Sequence, residues 1–303
     1  MTKGTTKMQS VRALGLAASV FAASAGAVWA ASGSAIHIDR QKWSFAGVSG
    51  QYDKAQLQRG FKVYKEVCAA CHSLNRVAFR NLSEAGGPQF DVERVKALAA
   101  QWANPIETED LDDDGKVITR PPLASDRILG PHRNEKAARD AFNGALPPDL
   151  SLITKGRTVE FHGSWPIHIL QMTKDILTGY QEAGSDYLYA LLTGYKDAPA
   201  DVTLGDGMSY NVAFPGHQIA MAAPLADGSV EYVEDGQKVP EGVTVPPATL
   251  EQNAKDVTAF LSWTADPSLN TRKQIGWQVM IYLIITTILL YLGKKSIWSR
   301  IKH

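Results

Sequence analysis

The sequence predicts a mainly α-helical domain with long loops and a small β-hairpin, followed by one C-terminal transmembrane helix. Three observations lead there. Apolar residues recur at helical spacing just before the pentapeptide Cys68-Ala69-Ala70-Cys71-His72, and again from Leu250 to Trp263. Between these two stripes the chain is repeatedly interrupted by Gly, Pro, Asn and Asp clusters, which mark turns and loops. From Gln274 to Gly293 there is no charged residue, a length of apolar chain that few soluble helices sustain.

At 303 residues and 45% apolar content the chain is long enough for one large domain or two small ones with a real core. Its formal net charge is zero, which excludes a nucleic-acid binder built on bulk basicity. That zero conceals a partition. Lys3, Lys7 and Arg12 lie at one end and Lys294, Lys295, Arg300 and Lys302 at the other, leaving 24 basic against 31 acidic residues between them. The working domain is acidic by about seven charges, which suits a basic partner.

Residues 1–30 read as a secretory signal: a basic stretch to Arg12, an apolar run from Ala13 to Val28, and a small-residue exit at Val28-Trp29-Ala30. A first transmembrane helix is the rival, but the run is alanine-rich and ends in Ala-Ser-Gly-Ser-Ala rather than in charge. Residues 31–273 are then an exported domain. Its first part, Ala31 to Gly50 with Trp43 and Phe45, reads as an extended arm.

From Tyr52 to Val67 the apolar residues Leu57, Phe61, Tyr64 and Val67 form the stripe of an amphipathic helix, and Gly60 would let another helix cross it closely. The helix runs into Cys68-Ala69-Ala70-Cys71-His72, the spacing for covalent attachment of a c-type haem. Cys68 and Cys71 would add to the porphyrin vinyl groups as thioethers, and His72 would offer its imidazole to the iron. Zinc would need a second pair of soft ligands, and these are the only two cysteines. A redox dithiol of the thioredoxin type would want a strand before it, where this chain has a helical pattern.

Beyond the motif, Ser73 to Ala85 is polar and basic, and Gly86-Gly87-Pro88 breaks it. Phe90 to Trp102 is a second helix, stopped by Asn104-Pro105. Glu107 to Asp114 holds six acidic residues in eight positions and reads as a solvated loop or one edge of a docking face. It lacks the spacing and closing glutamate of a calcium loop. Arg120-Pro121-Pro122 is stiff and carries a guanidinium that could pair with a haem propionate, or simply serve the loop. Asn143-Gly144-Ala145-Leu146-Pro147-Pro148-Asp149-Leu150-Ser151 is a rigid turn suited to lining a flat hydrophobic ring. His162 and His168, six residues apart, do not share a helix face and read as ordinary histidines. Ser185-Asp186 reads as the cap of a short helix ending at Gly194.

For a second axial ligand, Met1 and Met8 fall in the leader and Met280 in the anchor, leaving Met172, Met208 and Met221. Met221 lies in small, apolar surroundings that would keep water from a thioether–iron bond, with Met208 and His217 as the alternatives. Val230 to Val239, alternating about Asp235-Gly236, predicts the small hairpin. Leu250 to Trp263 is a last amphipathic helix whose natural partner is the Leu57–Val67 helix. Ile275 to Leu292 would span about 27 Å as a helix, close to the thickness of a hydrocarbon core. Residues 274–293 are therefore a single-pass anchor, and the Lys294-Lys295 pair makes the tail 294–303 cytoplasmic.

Taken together, these segments resemble cytochrome c1, the haem-bearing subunit of the ubiquinol-cytochrome c oxidoreductase, in its bacterial form. The resemblance rests on Cys68 to His72, Arg120-Pro121, Asn143 to Ser151, Leu191-Leu192-Thr193-Gly194-Tyr195, Phe214-Pro215-Gly216 with Ile219-Ala220-Met221, and the C-terminal anchor. It implies a cytochrome c-like haem domain on the periplasmic side of the inner membrane, carrying one covalently bound haem c. It also implies Met221 as the axial ligand, Arg120 as a propionate partner, and a dimeric complex with cytochrome b and a Rieske iron-sulfur protein. In that setting the chain would pass single electrons from the Rieske centre to a soluble or membrane-bound cytochrome c. Two departures stand out: Ala222-Ala223 where the family often has prolines, and a segment 159–184 longer than in mitochondrial forms. The rival readings are a membrane-tethered c-type cytochrome shuttle or haem subunit of another respiratory complex, and a haem enzyme such as a peroxidase. Copurifying subunits would separate the first, and carbon monoxide binding to the native reduced protein the second.

Overall fold

The stripe from Leu57 to Val67 does form a helix, α1 (Lys54–Glu66), because Asp53 caps it by accepting from the amide of Gln56 at 2.7 Å and its buried face is Leu57, Gly60, Phe61, Val63 and Tyr64. The structure, a computed structural model, describes residues 36–102, 108–111, 113–158, 164–233 and 245–299. The leader and the Asp235-Gly236 hairpin expected from the sequence lie outside these residues, as does the end of the tail.

In chain order α1 is followed by a 3-10 turn (Cys68–Ala70), β1 (Leu74–Ala78), a 3-10 helix (Phe79–Ser83) and α2 (Val92–Ala100). Next come β2 (Thr108–Leu111), β3 (Val117–Arg120), β4 (Arg127–Ile128), α3 (Glu135–Ala141), α4 (Ile153–Gly156), α5 (Trp165–Thr178) and α6 (Ala183–Thr193). The chain closes with β5 (Ser209–Tyr210), β6 (Gln218–Ile219), α7 (Leu250–Ala265) and α8 (Leu269–Trp298). Each strand pairs antiparallel with one other: β1 with β4, β2 with β3, and β5 with β6.

The core is built on the crossing of α1 and α7, the pair expected from their two apolar stripes. A Cβ at Gly60 would stand 2.0 Å from the Asp256 carbonyl oxygen, so only glycine admits the approach. Phe61 meets Phe260 edge to face at 5.6 Å, and Phe260 lies 5.6 Å from Trp263. Such pairs contribute roughly 0.5–1.5 kcal/mol beyond their buried area. Helices α4 and α6 pack on the other side of α7, where Ser185 and Ser262 share a hydrogen bond of 2.8 Å between their hydroxyls. The extended arm delivers Trp43 and Phe45 into this same core.

The structure adds one local feature and changes two expectations. Ser73 to Ala85 contains a strand and a 3-10 helix, since Leu74, Val77, Phe79 and Leu82 are buried beneath its basic residues. Within the acidic run, Thr108–Leu111 forms the first arm of a hairpin, β2 pairing with β3 from Thr108–Arg120 to Leu111–Val117, in place of the expected open loop. Ser185 and Asp186 do not cap α6, which begins at Ala183 after Glu182. The Asp186 carboxylate is buried and accepts instead from Trp43 Nε1 (2.7 Å), the Gln41 amide (3.0 Å) and Tyr180 Oη (2.6 Å).

The C-terminal helix α8 runs for 30 residues, longer than the charge-free stretch, and is apolar enough to cross a membrane, with none of its apolar window buried against the domain. Its first turn is embedded: Leu269 is buried and the Asn270 side-chain carbonyl accepts from the Tyr52 amide at 3.0 Å.

Candidate functional site

One carbonyl organises the motif. Cys68 O accepts from the amides of Cys71 (3.1 Å) and His72 (2.8 Å), closing a tight turn at the end of α1 that brings both thiols and the imidazole together. From inside the core, Tyr64 Oη donates to His72 O at 3.1 Å. The cysteines form no disulfide. Burial pushes the Cys68 thiol up to about 12 and raises that of Cys71, so both rest as neutral thiols. A thioether is also neutral, so the linked form is compatible with the same apolar surroundings.

His72 Nδ1 lies 2.8 Å from the Pro148 carbonyl oxygen. A carbonyl only accepts, so Nδ1 carries the proton and Nε2 keeps its lone pair for a metal. Burial lowers the imidazole pKa, against smaller opposing effects of Pro148 and Asp149, and this favours the neutral form that ligates. Pro148 is held in place by its neighbours. The Asp149 carboxylate accepts from Ser73 Oγ (2.8 Å), the Asn75 amide (2.6 Å) and the Ser151 amide (3.0 Å), while the Leu150 amide donates to Ser73 O (2.9 Å). The run Asn143–Ser151 therefore fastens onto the residues following the motif.

Of the remaining ligand candidates, Met208 is 41% and Met172 50% exposed, whereas Met221 is partly buried and packs against the same core as Cys68. Met221 follows β6, and Tyr195 Oη donates to its carbonyl at 3.1 Å. His217, with φ +60°, hydrogen-bonds through Nδ1 to Asn211 O at 3.1 Å, and the buried Asn211 in turn donates to Leu191 O at 2.8 Å. This ties the β5–β6 turn to the end of α6.

Arg120 sits at the end of β3, where Nη1 and Nη2 lie 2.6 and 3.4 Å from the two Asp126 carboxylate oxygens. Its fork is occupied by a protein carboxylate, and a propionate there would have to share it. A cavity of about 440 Å³ beside Cys71 is walled by Pro131, His132, Arg133, Pro147 and Pro148 among others, and Arg120 does not border it. His132 and Arg133 carry no motif signal and become visible only once Leu146–Asp149 folds beside them.

Among the described residues no three His, Cys, Asp or Glu are grouped to hold a bare ion. Two neutral thiols on one turn, an imidazole with Nε2 free and a half-buried thioether fit a prosthetic group that brings its own equatorial nitrogens, as haem does.

A sequence model described as the Cytochrome C1 family matches residues 43–301. Cytochrome c1 of Blastochloris viridis is 44% identical over 298 residues, covering 98% of this chain and 98% of that protein. Cytochrome c1 of Rhodospirillum rubrum is 37% identical over 304 residues, covering 95% and 97%. A protein named cytochrome b/c1 from Bradyrhizobium diazoefficiens is 47% identical over 259 residues, 85% of this chain but 35% of that longer protein.

Proposed function

The chain belongs to the cytochrome C1 family, whose members carry a covalently bound c-type haem and serve the electron-transfer complex as its haem-bearing subunit; on that premise we propose which residues hold the haem and what they make it do. Cys68 and Cys71 would form the two thioether links, His72 would hold the iron through Nε2, and Met221 would supply the second ligand. The observation that carries this reading is the 2.8 Å contact from His72 Nδ1 to the Pro148 carbonyl, which fixes both the tautomer and the direction of the ring.

Bound haem supplies a one-electron ferric/ferrous couple. With His72 and Met221 both held to the iron, dioxygen or peroxide would find no site to bind, and the chemistry would be outer-sphere transfer. Methionine ligation raises the potential, as an acceptor from a Rieske centre requires. The electron arrives from the Rieske iron-sulfur protein and leaves to a soluble or membrane-bound cytochrome c, within a dimeric complex that includes cytochrome b. The haem domain faces the periplasm, α8 crosses the inner membrane, and the C-terminus is cytoplasmic, in keeping with Lys294 and Lys295. The acidic balance of the domain favours a basic acceptor, so the transfer rate falls with added salt. Arg120 is the proposed partner of a haem propionate, a role in which its guanidinium would be shared with the Asp126 carboxylate.

The test compares optical spectra of the detergent-solubilised wild type and Met221→Leu. The variant is expected to lose the sulfur-to-iron band, bind carbon monoxide when reduced, and show a lower potential. A variant spectrum identical to wild type would move the ligand elsewhere, with Met208 and His217 next.

A further inference from the structure

Helix α5 is exposed along nearly its whole length. None of its 14 residues is buried, although the helix contains Trp165, Ile167, Leu170, Met172, Ile176 and Leu177. Trp165 is 75% exposed, Leu170 72% and Leu177 80%. Its only formally charged residues are Lys174 and Asp175. Water-exposed helices keep apolar residues to one stripe that packs on a core, and an exposed apolar surface of this extent marks a contact with something else.

What it contacts follows from how its C-terminal end is held. Asp175 accepts from Arg40 at 2.8 Å, and Arg40 stacks 3.7 Å over the Tyr180 ring. Gly179, in the left-handed conformation at φ 67°, lies against the backbone of Gly47 and Val48. The same loop is gripped by the membrane helix. Lys273 Nζ donates to Phe45 O at 2.6 Å and to Gly50 O at 3.1 Å. Lys273 is the last charged residue before the apolar run of α8, so the 45–50 loop stands at the level where α8 enters the bilayer. Val48 in that loop is itself exposed. The apolar surface of Ile176, Leu177 and Val48 is therefore brought to the depth at which the lipid-facing surface of α8 begins.

We propose that α5 lies in the headgroup–acyl boundary of the bilayer that α8 crosses, giving the domain a second lipid contact beside its anchor. Trp165 suits that boundary, Lys174 can extend its ammonium to lipid phosphates while its stem stays apolar, and Ile176 and Leu177 bury in acyl chains. Continuity with the anchor's entry level favours lipid over a protein partner as the occupant.

The test uses the full chain in its membrane complex, reconstituted into phosphatidylcholine–phosphatidylglycerol vesicles. Leu170→Cys and Leu177→Cys, with Val92→Cys on α2 as a reference, are nitroxide-labelled, and spin relaxation is measured with oxygen and with a nickel chelate. At positions 170 and 177 oxygen is expected to relax the label more than nickel does, and at 92 the order is expected to reverse. Greater access to nickel at 170 and 177 would place α5 in water, and low access to both would place it under protein; either result overturns the proposal. The haem absorbance of each labelled sample reports separately whether the site is intact.

Discussion

Arg59 and Asp256 lock the crossing of α1 and α7: Arg59 Nε stands 2.7 Å from Asp256 Oδ2, one residue from the glycine that lets the two backbones meet. Asp256 is buried, and Gln56 and Gln252 each donate to its Oδ1. Asp256→Ala leaves the guanidinium without a counter-charge at the helix crossing. The expected destabilisation is about 3 kcal/mol, the low end for breaking a buried pair, because Arg59 keeps some contact with solvent. Denaturant unfolding followed by far-ultraviolet circular dichroism reads it, and an unchanged midpoint would remove this pair from the main supports of the fold.

Gly60→Ala drives a methyl into the Asp256 carbonyl and the Phe260 Cβ, 2.0 and 2.7 Å away. Overpacking of this kind costs about 1–3 kcal/mol. Gly156→Ala provides the contrast, with nothing within 4 Å of the added methyl, and should stay within about 0.5 kcal/mol of wild type. Equal unfolding midpoints for the two variants would contradict the close crossing.

Asp149→Ala is expected to act on the haem without touching it. Removing the carboxylate frees Ser73 and Asn75 and lets the Pro148 carbonyl drift from His72 Nδ1. Without that acceptor the imidazole is less basic and stabilises ferric iron less, so the midpoint potential should rise while the thioether links persist. Redox titration of the purified variant decides, and a potential equal to wild type would show that Asp149 only shapes the loop.

Acid should weaken the attachment of β3. The hydrogen bond from Arg120, more than any other influence, holds the Asp126 carboxyl below the usual carboxylate range. A carboxyl depressed in the folded state contributes stability that is complete above its unfolded value of about 3.9 and is lost as pH falls through the folded one. Asp126→Asn should therefore be less stable than wild type at neutral pH, with the gap closing as pH drops below about 4. The group keeps some solvent access, so the effect stays near that of a surface pair, about 1 kcal/mol or less. A gap independent of pH would argue against an ionic contribution.

The two helices of the crossing and the attachment turn were legible because their signals are local: a 3.6-residue stripe, a glycine within it, and five residues in register. Met221 could be ranked above Met208 only on its apolar neighbours, and its partial burial depends on the distant contacts of Tyr195 and Asn211. What the sequence hid was tertiary. Asp186 looks like a cap beside Ser185, yet its carboxylate serves Trp43, 143 residues away. The acidic run looks like a solvated loop because charge dominates its composition, whereas the backbone of Thr108–Leu111 within it pairs with β3. The pairing of Arg120 with Asp126, six residues on, likewise carries no motif signal.

The grip of Lys273 on the carbonyls of Phe45 and Gly50, with Tyr52 tied to Asn270 and Arg272 to Asp266, leaves no slack joint between domain and membrane helix. A chain fastened this way stands like a post and not like a buoy on a line: the height and tilt of its working face are set where it meets the bilayer.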